Sequence, residues 1–261
     1  MLSEPPAACQ AERQDLHLMA APSACVILLA QGLCGTLSVP AQAWPASADY
    51  SGELAVNDDL RDMLKISNTA GSNPRLVQGG GGNTSVKTDG GARMYVKASG
   101  TGLAEMREGA GYRLVDVQKC LAIVQDEALR AMPAAERELV VVDRLMDCCV
   151  DDLTGRPSIE SSLHAMLGRC VVHTHPSVVN GLLCARQGRQ AVAELFGELD
   201  PPYLYVEFCG AGYSLAVRML DALDEYRARH GREPEVIFLE NHGLFVSAED
   251  AERALELTQH V

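Results

Sequence analysis

The sequence has few basic residues and no uninterrupted apolar segment long enough to cross a membrane. Only 22 lysine and arginine side chains oppose 35 aspartate and glutamate side chains, so the formal net charge is −13. Nucleic-acid binding requires a basic face that neutralises phosphates, and this composition therefore argues against nucleic acid as a partner. The long apolar stretch at residues 18–37 is interrupted by Pro22, Gly32 and Gly35, which makes it a poor transmembrane helix. We expect neither a nucleic-acid partner nor a membrane partner.

The nine cysteines lack the spacing of a disulfide framework or of a zinc-binding CxxC pair. Their number is odd, and several of them, such as Cys170 and Cys184, lie in apolar runs. Thiols in such runs are typically buried and reduced, which predicts a reducing compartment and a cytoplasmic protein.

The chain changes character near residue 56. Residues 1–55 contain Ala41-Gln42-Ala43, which resembles a signal-peptidase site, but the acidic start lacks the positive region of a secretion signal. We therefore predict a disordered or spurious extension over residues 1–55, with an export signal as the alternative. Residues 56–261 have the size and patterning of one globular domain. The chain ends inside a predicted helix, which indicates a fragment or a missing C-terminal segment.

Two histidines stand at the end of a predicted buried strand. Val171 and Val172 are β-branched and lead into His173, and Pro176 stops the strand after His175. Side chains two residues apart on a strand point to the same face, so both imidazoles could serve one transition-metal site. The alternative is that the pair only packs in the core.

A catalytic metal site needs a third ligand, and His242 is the best candidate. It follows the apolar run at residues 236–239 and, like the first pair, stands at a strand end. Three histidines with one open coordination position form a catalytic zinc-type site. The other histidines lie in an N-terminal segment, on a predicted helix, in a polar turn and at the chain end: His17, His164, His230 and His260.

Two small loops rich in hydrogen-bond donors accompany the histidines. One is the glycine run at residues 79–82 with Asn83 after it, and the other is the segment at residues 98–102 that follows the next strand. Bare backbone N–H groups in such loops can cradle an oxyanion or a phosphate. The spacing fits neither the Walker loop nor the dinucleotide fingerprint. A hairpin or glycine bulge is the alternative.

Glu160 is the candidate acid–base residue. Ser158 is expected to cap a helix whose first turn contains Glu160, and this helix leads directly into the strand of His173. A carboxylate close to a metal with an open position suits proton transfer. The alternative is a first-turn carboxylate that is favoured by the helix dipole.

Four segments, in this order, resemble the class II aldolase/adducin family: residues 82–85, residues 97–100, residues 158–160 with 173–176, and residues 241–243. The resemblance extends from about residue 57 to residue 261. The glycine run and residues 239–243 are most similar to the aldolase part of rhamnulose-1-phosphate aldolase-type bifunctional proteins. The resemblance implies an α/β fold with three layers, α/β/α, around a central and mainly antiparallel sheet.

The same resemblance implies an activity. Enzymes of this family cleave a ketose 1-phosphate into dihydroxyacetone phosphate and an aldehyde through a metal-stabilised enediolate. A divalent metal, Zn²⁺ before Mn²⁺ or Co²⁺, would be bound by His173, His175 and His242, and Glu160 would move the proton. The positions that match the family's phosphate site, among which no arginine is evident, are Gly82, Asn83, Ser99, Gly100 and Ser158.

The family pattern also leaves differences and alternatives. Ile159 stands where some members carry a second serine, so we expect phosphate recognition to be weaker or different. Family enzymes commonly place their sites between subunits, which predicts a homo-oligomer, most simply a tetramer. One alternative is a sugar-phosphate epimerase, dehydratase or decarboxylase that uses the same metal site. The other is a non-catalytic adducin-like binding module, which the intact histidines and Glu160 disfavour.

Overall fold

The computed structural model describes residues 57–261, so the extension predicted at residues 1–55 lies outside the described part. The helices and strands in chain order are α1 (Asp58–Gly71), β1 (Asn83–Thr88), β2 (Arg93–Lys97), β3 (Tyr112–Asp116), α2 (Val117–Gln125), α3 (Glu127–Ala131), α4 (Ala134–Asp147), α5 (Ser161–Ala165), β4 (Cys170–Thr174), α6 (Ser177–Leu183), α7 (Gly188–Phe196), β5 (Leu204–Val206), α8 (Tyr213–His230), β6 (Val236–Leu239), β7 (Gly243–Ala248) and α9 (Ala251–His260).

The seven described strands form one sheet in the order β3-β2-β1-β4-β7-β6-β5. Every neighbouring pair is antiparallel except β5 with β6, which is parallel. Strand β4 lies at the centre, where His173 is paired with Asn83 on one side and with Phe245 on the other. The central strand of the sheet therefore carries the first candidate ligand.

Helices cover both faces of the sheet. Helices α1 and α9 pack over Val86 and Val172 on one face. Helices α2, α5 and α8 pack over Val171 and Phe245 on the other face. Because side chains alternate along β4, His173 points to the same side as Val171, and its ring stacks on Phe245 with the centroids 4.2 Å apart. The predicted three-layer α/β/α fold with a mainly antiparallel sheet is confirmed.

Two predictions from the sequence can be compared with the structure, one on the burial of cysteines and one on membrane-spanning helices. Cys170 is fully buried at the start of β4, whereas Cys184 is exposed because it follows the last turn of α6 at the surface. The prediction of burial is therefore wrong for Cys184. No helix within residues 57–261 combines the length and the apolarity that crossing a membrane requires.

Candidate metal centre

Three histidines converge at one end of the sheet. His173 is the penultimate residue of β4, His175 directly follows that strand, and His242 occupies the tight turn between β6 and β7. Strand β7 runs antiparallel to β4 and begins opposite its end, with Leu244 paired to Thr174. The turn that carries His242 is therefore held beside His175, and one nitrogen from each of the three rings lies within 4.8 Å of the others.

The backbone orients the ring of His173, which is fully buried. Its Nδ1–H donates to the carbonyl of Leu244 at 3.0 Å, and this leaves the lone pair of Nε2 free. A backbone acceptor of this kind fixes the tautomer of a metal-ligating histidine. Nε2 of His173 and Nε2 of His175 are 3.0 Å apart. Two nitrogens bound to one tetrahedral zinc ion lie roughly 3.3 Å apart, so the spacing fits a shared cation.

Two glycines allow the backbone to approach these histidines closely. A Cβ atom at Gly243 would lie 2.6 Å from the carbonyl oxygen of Thr174 and 2.7 Å from Cδ2 of His175. Gly82 has a φ of 68°, and a Cβ atom there would lie 2.7 Å from the carbonyl oxygen of His173. A side chain at either position would displace the histidines, and the φ of Gly82 also disfavours any L-residue.

Burial favours the neutral form of two of these three imidazole rings. It lowers the pKa of His173 well below the usual value, and the neighbouring His175 and His242 rings act in the same direction. Burial also lowers the pKa of His175. Metals bind the neutral imidazole, so these two side chains need not lose a proton before they bind. The donor set fits a divalent cation that accepts nitrogen ligands.

The carboxylate of Glu160 lies against two of the three histidines. Its Oε1 is 3.4 Å from Nε2 of His242, and its Oε2 is 3.6 Å from Nε2 of His173. Helix α5 begins at Ser161, so Glu160 occupies the N-cap position and not the first helical turn that we predicted. The reason is a turn closed by Ser158, whose Oγ accepts the N–H of Glu160 at 3.2 Å. That turn directs the carboxylate at the histidines.

A buried chain of hydrogen bonds holds the carboxylate in place. Nδ2 of Asn83 donates to Oε2 of Glu160 at 2.5 Å and to Oγ of Ser158 at 3.1 Å. Oδ1 of Asn83 accepts from Nε2–H of His164, and Nδ1 of His164 accepts from Oγ of Ser85 at 2.7 Å. Because an ionised carboxylate can only accept, every donor and acceptor along this chain has one consistent assignment. His164 is therefore the residue that orients Asn83, and sequence analysis missed this role.

Backbone hydrogen bonds join the start of the second donor-rich loop, at residues 98–102, to residues 156–158. The N–H of Ser99 donates to the carbonyl of Arg156 at 2.7 Å, and the N–H of Ser158 donates to the carbonyl of Lys97 at 2.9 Å. Nη2 of Arg156 also donates to Oγ of Ser99 at 3.0 Å. Gly100 follows Ser99 in the loop with a φ of 86°. Arg156, which is not among the positions that match the family's phosphate site, thus lies beside Ser99.

The structure thus brings Glu160 together with the three histidines, Asn83 and Ser158, and it places Ser99 and Gly100 in the adjoining loop. Arg156 stands two residues before Ser158, on the segment that pairs with Ser99. This short spacing was the sequence feature that could have predicted an arginine near the phosphate positions. His164 offered a weaker signal, since its position four residues after Glu160 does not reveal Asn83 as its partner.

The family model described as Class II Aldolase and Adducin N-terminal domain matches residues 61–261. This chain belongs to the class II aldolase/adducin family. A curated relative, the uncharacterized oxidoreductase YuxG of Bacillus subtilis (strain 168), is 31% identical over 209 residues, which are 76% of this chain and 28% of that protein. The chain therefore spans little more than a quarter of the length of the relative it matches.

Two solved structures are similar to this class II aldolase/adducin domain. The N-terminal class II aldolase domain of a conserved protein from Thermoplasma acidophilum has a TM-score of 0.62 at 24% identity, over 81% of this chain and 93% of that chain. An L-fuculose 1-phosphate aldolase has a TM-score of 0.50 at 18% identity, over 78% of this chain and 81% of that chain. At these identities the likeness shows the fold. The resemblance to the family found in the sequence is confirmed.

We expect the purified domain to bind about one equivalent of divalent metal per chain, and His242→Ala to lose most of it, because two imidazoles hold such an ion far less tightly than three. Elemental analysis after dialysis against trace metal measures the stoichiometry. His230→Ala is the matched control, since His230 is exposed at the end of α8. Metal retained by His242→Ala, or no metal in the reconstituted parent protein, would refute the centre.

We expect His164→Gln to flatten the pH dependence of unfolding. Burial lowers the pKa of His164 to about 3, so between that value and its ordinary value the unfolded chain binds a proton that the folded chain does not. Stability therefore rises with pH through this window and falls as the pH drops, by about 1.4 kcal/mol per pH unit for this one proton.

Denaturant titrations between about pH 4 and pH 6 measure this slope. A chelator in every sample keeps metal release from contributing. Equal slopes for His164→Gln and the parent protein would contradict a neutral buried His164.

Proposed function

We propose that this domain cleaves a ketose 1-phosphate, or a related sugar phosphate, into dihydroxyacetone phosphate and an aldehyde. The observation that carries the proposal is the position of Glu160, whose carboxylate oxygens lie 3.4 Å and 3.6 Å from two histidines of a cluster that fits a metal ion. Aldol cleavage needs this combination, because an electrophile must act on the ketone while an acid–base group moves a proton nearby.

The reaction breaks a carbon–carbon bond beside a ketone and develops negative charge on the ketone oxygen. His173, His175 and His242 would hold a divalent cation, which would supply the Lewis acid that polarises the ketone and offsets this charge. We propose Zn²⁺, because neutral imidazoles in a small cluster suit it, with Mn²⁺ or Co²⁺ as substitutes. The hydroxyl group on the leaving carbon must lose a proton as the aldehyde forms, and the carbon beside the ketone must gain one. We propose that the Glu160 carboxylate accepts the first proton and then donates it to that carbon.

Asn83 supports this role of Glu160. It donates to Oε2 of the carboxylate and so fixes the rotation of the group, with Oε1 directed toward His242. A fixed acid–base group reacts faster than a mobile one because fewer unproductive orientations compete. The order imposed through His164 and Asn83 therefore supports proton transfer at one defined oxygen.

The loops beside the centre support binding of the phosphate end of the substrate. Ser99 and Ser158 offer hydroxyl groups, Gly100 offers its backbone N–H, and Arg156 brings positive charge to Ser99. Phosphate oxygens are recognised by such charge-assisted hydrogen bonds. We also propose the homo-oligomer expected from the family, since its sites are commonly built between subunits.

We expect Glu160→Gln to keep its metal and to lower turnover by about 10² to 10⁴-fold, the usual contribution of a general acid–base group. The measurement is release of dihydroxyacetone phosphate from a panel of ketose 1-phosphates, with metal content determined on the same samples. Glu256→Gln on α9, where Glu256 is exposed, is the control and should match the parent protein. Unchanged turnover in Glu160→Gln would exclude it as the proton donor. No product from any substrate with the metal-loaded parent protein would exclude aldol cleavage.

A further inference from the structure

The two edges of the sheet differ in how their backbone groups are satisfied. At one edge, the segment that follows α4 covers β3. There the N–H of Asp116 donates to the carbonyl of Cys148 at 2.8 Å, and the N–H of Val150 donates to the carbonyl of Leu114 at 2.9 Å. At the other edge, β5 pairs with β6 alone within residues 57–261. The free N–H and carbonyl groups of such an edge can pair with any extended chain that reaches them, so β5 is the edge that is open to a partner.

The backbone groups of Tyr205 point to the open side of β5. The carbonyl of Val206 accepts the N–H of Glu240 at 3.0 Å, directly after the last residue of β6, so Val206 turns its backbone groups toward that strand. Along an extended strand, the backbone groups of successive residues point alternately to its two sides. Tyr205 therefore directs its N–H and its carbonyl away from β6.

A cleft of about 410 Å³ lies at this edge, lined by residues of β5, α7 and α8. The two helices cover opposite faces of the sheet. Phe196 of α7 packs on Phe238 with the ring centroids 5.1 Å apart, whereas Leu223 of α8 packs in the same cluster as Ile237. Neighbouring residues of β6 face opposite sides of the sheet. A cleft that is lined by both helices and by the edge strand between them therefore opens at the edge of the sheet.

The cleft carries an excess of positive charge. Arg189, Arg218 and Arg229 line it, against the two carboxylates of Glu207 and Glu225. The carboxylate of Glu207 is shared, since it lies 2.6 Å from Nη1 of Arg189 and 3.8 Å from Nη2 of Arg218. This sign is opposite to the net charge of the chain, which is −13. The cleft therefore favours an acidic partner, and it disfavours a second copy of this chain, because two arginine-lined clefts would then face each other.

We propose that this cleft binds an extended acidic segment of a partner protein, which adds to the sheet as a further strand beside β5. The backbone groups of Tyr205 supply main-chain hydrogen bonds, which hold an extended chain whatever its side chains are. The arginines select glutamate or aspartate, because a guanidinium group pairs with a carboxylate through two parallel hydrogen bonds. Since β5 has only three residues, the main-chain bonds are few and binding depends strongly on these charges. The inference is independent of the chemistry at the metal centre.

The probe is a fluorescein-labelled heptapeptide of the sequence Thr-Glu-Glu-Val-Glu-Glu-Thr, which presents glutamates on both sides when it is extended. Fluorescence anisotropy with the full chain measures its Kd. One control peptide has lysine in place of every glutamate. The other carries N-methyl groups on the valine and on the next glutamate, so that one of the two blocked nitrogens always faces β5. We expect each control peptide to bind at least about tenfold more weakly than the probe.

Substitutions in the protein provide the matched test. Arg218→Glu should weaken binding of the acidic peptide by about tenfold or more, because a like charge then faces it. Arg189→Glu, at a more exposed position, serves as the second variant should Arg218→Glu not fold. Arg61→Glu makes the same change in net charge on α1, outside the cleft, and should alter the Kd by less than about twofold. His242→Ala should also retain the affinity, which separates the sheet edge from the metal centre.

Three results with the peptides would overturn the inference: no binding of the acidic peptide by the parent protein, equal binding of the N-methylated peptide, or unaltered affinity in folded Arg218→Glu. Sedimentation gives the remaining check, and we expect the parent protein and Arg218→Glu to have the same oligomeric state. Self-association that Arg218→Glu abolishes would mean that a second copy of the chain covers the edge, and this would also overturn the inference.

Discussion

The antiparallel pairing of β4 with β7 is the constraint on which the candidate site depends. It sets Leu244 opposite Thr174, and this register brings the turn that carries His242 to the end of the strand that carries His173. The same register supplies the carbonyl of Leu244 that fixes the ring of His173. A slip of one residue would turn His173 to the opposite face of the sheet, because side chains alternate. The histidine cluster is therefore a consequence of sheet register, and Gly243 is the residue that allows the two strands to come this close.

The parts of the site that local patterns encode could be predicted from the sequence. The sequence has two histidines at alternate positions of a strand and a third at a strand end. This pattern predicts a cluster, because strand geometry decides where such side chains point. The partners of Asn83 could not be predicted in this way. His164 stands 81 residues further along the chain, and the two residues meet because β1 pairs with the distant strand β4 as well as with β2, its neighbour in sequence. The contact of Arg156 with Ser99 could not be predicted for the same reason, since it depends on a bridge between distant segments.

The fold alone does not decide what this domain does. Class II aldolase domains with the same architecture share 24% identity or less with it among the structures compared above, and a fold can host several chemistries. The relative named as an oxidoreductase is matched over 28% of its length, so that name does not describe the matched part by itself. An aldolase-type site differs from a binding module in its functional groups. Here the three histidines, the carboxylate of Glu160 and the hydrogen bonds that orient this carboxylate lie together.

The arrangement of charge in the site follows from these groups. Burial favours the neutral forms of His173 and His175, and the carboxylate of Glu160 and the ammonium group of Lys97 lie near them. These charges approximately cancel, and a divalent cation bound by the histidines would leave the site positive. That sign is opposite to the net charge of the chain, which is −13. Such a positive site would attract a dianionic phosphate locally, because the low dielectric of the interior strengthens the interaction.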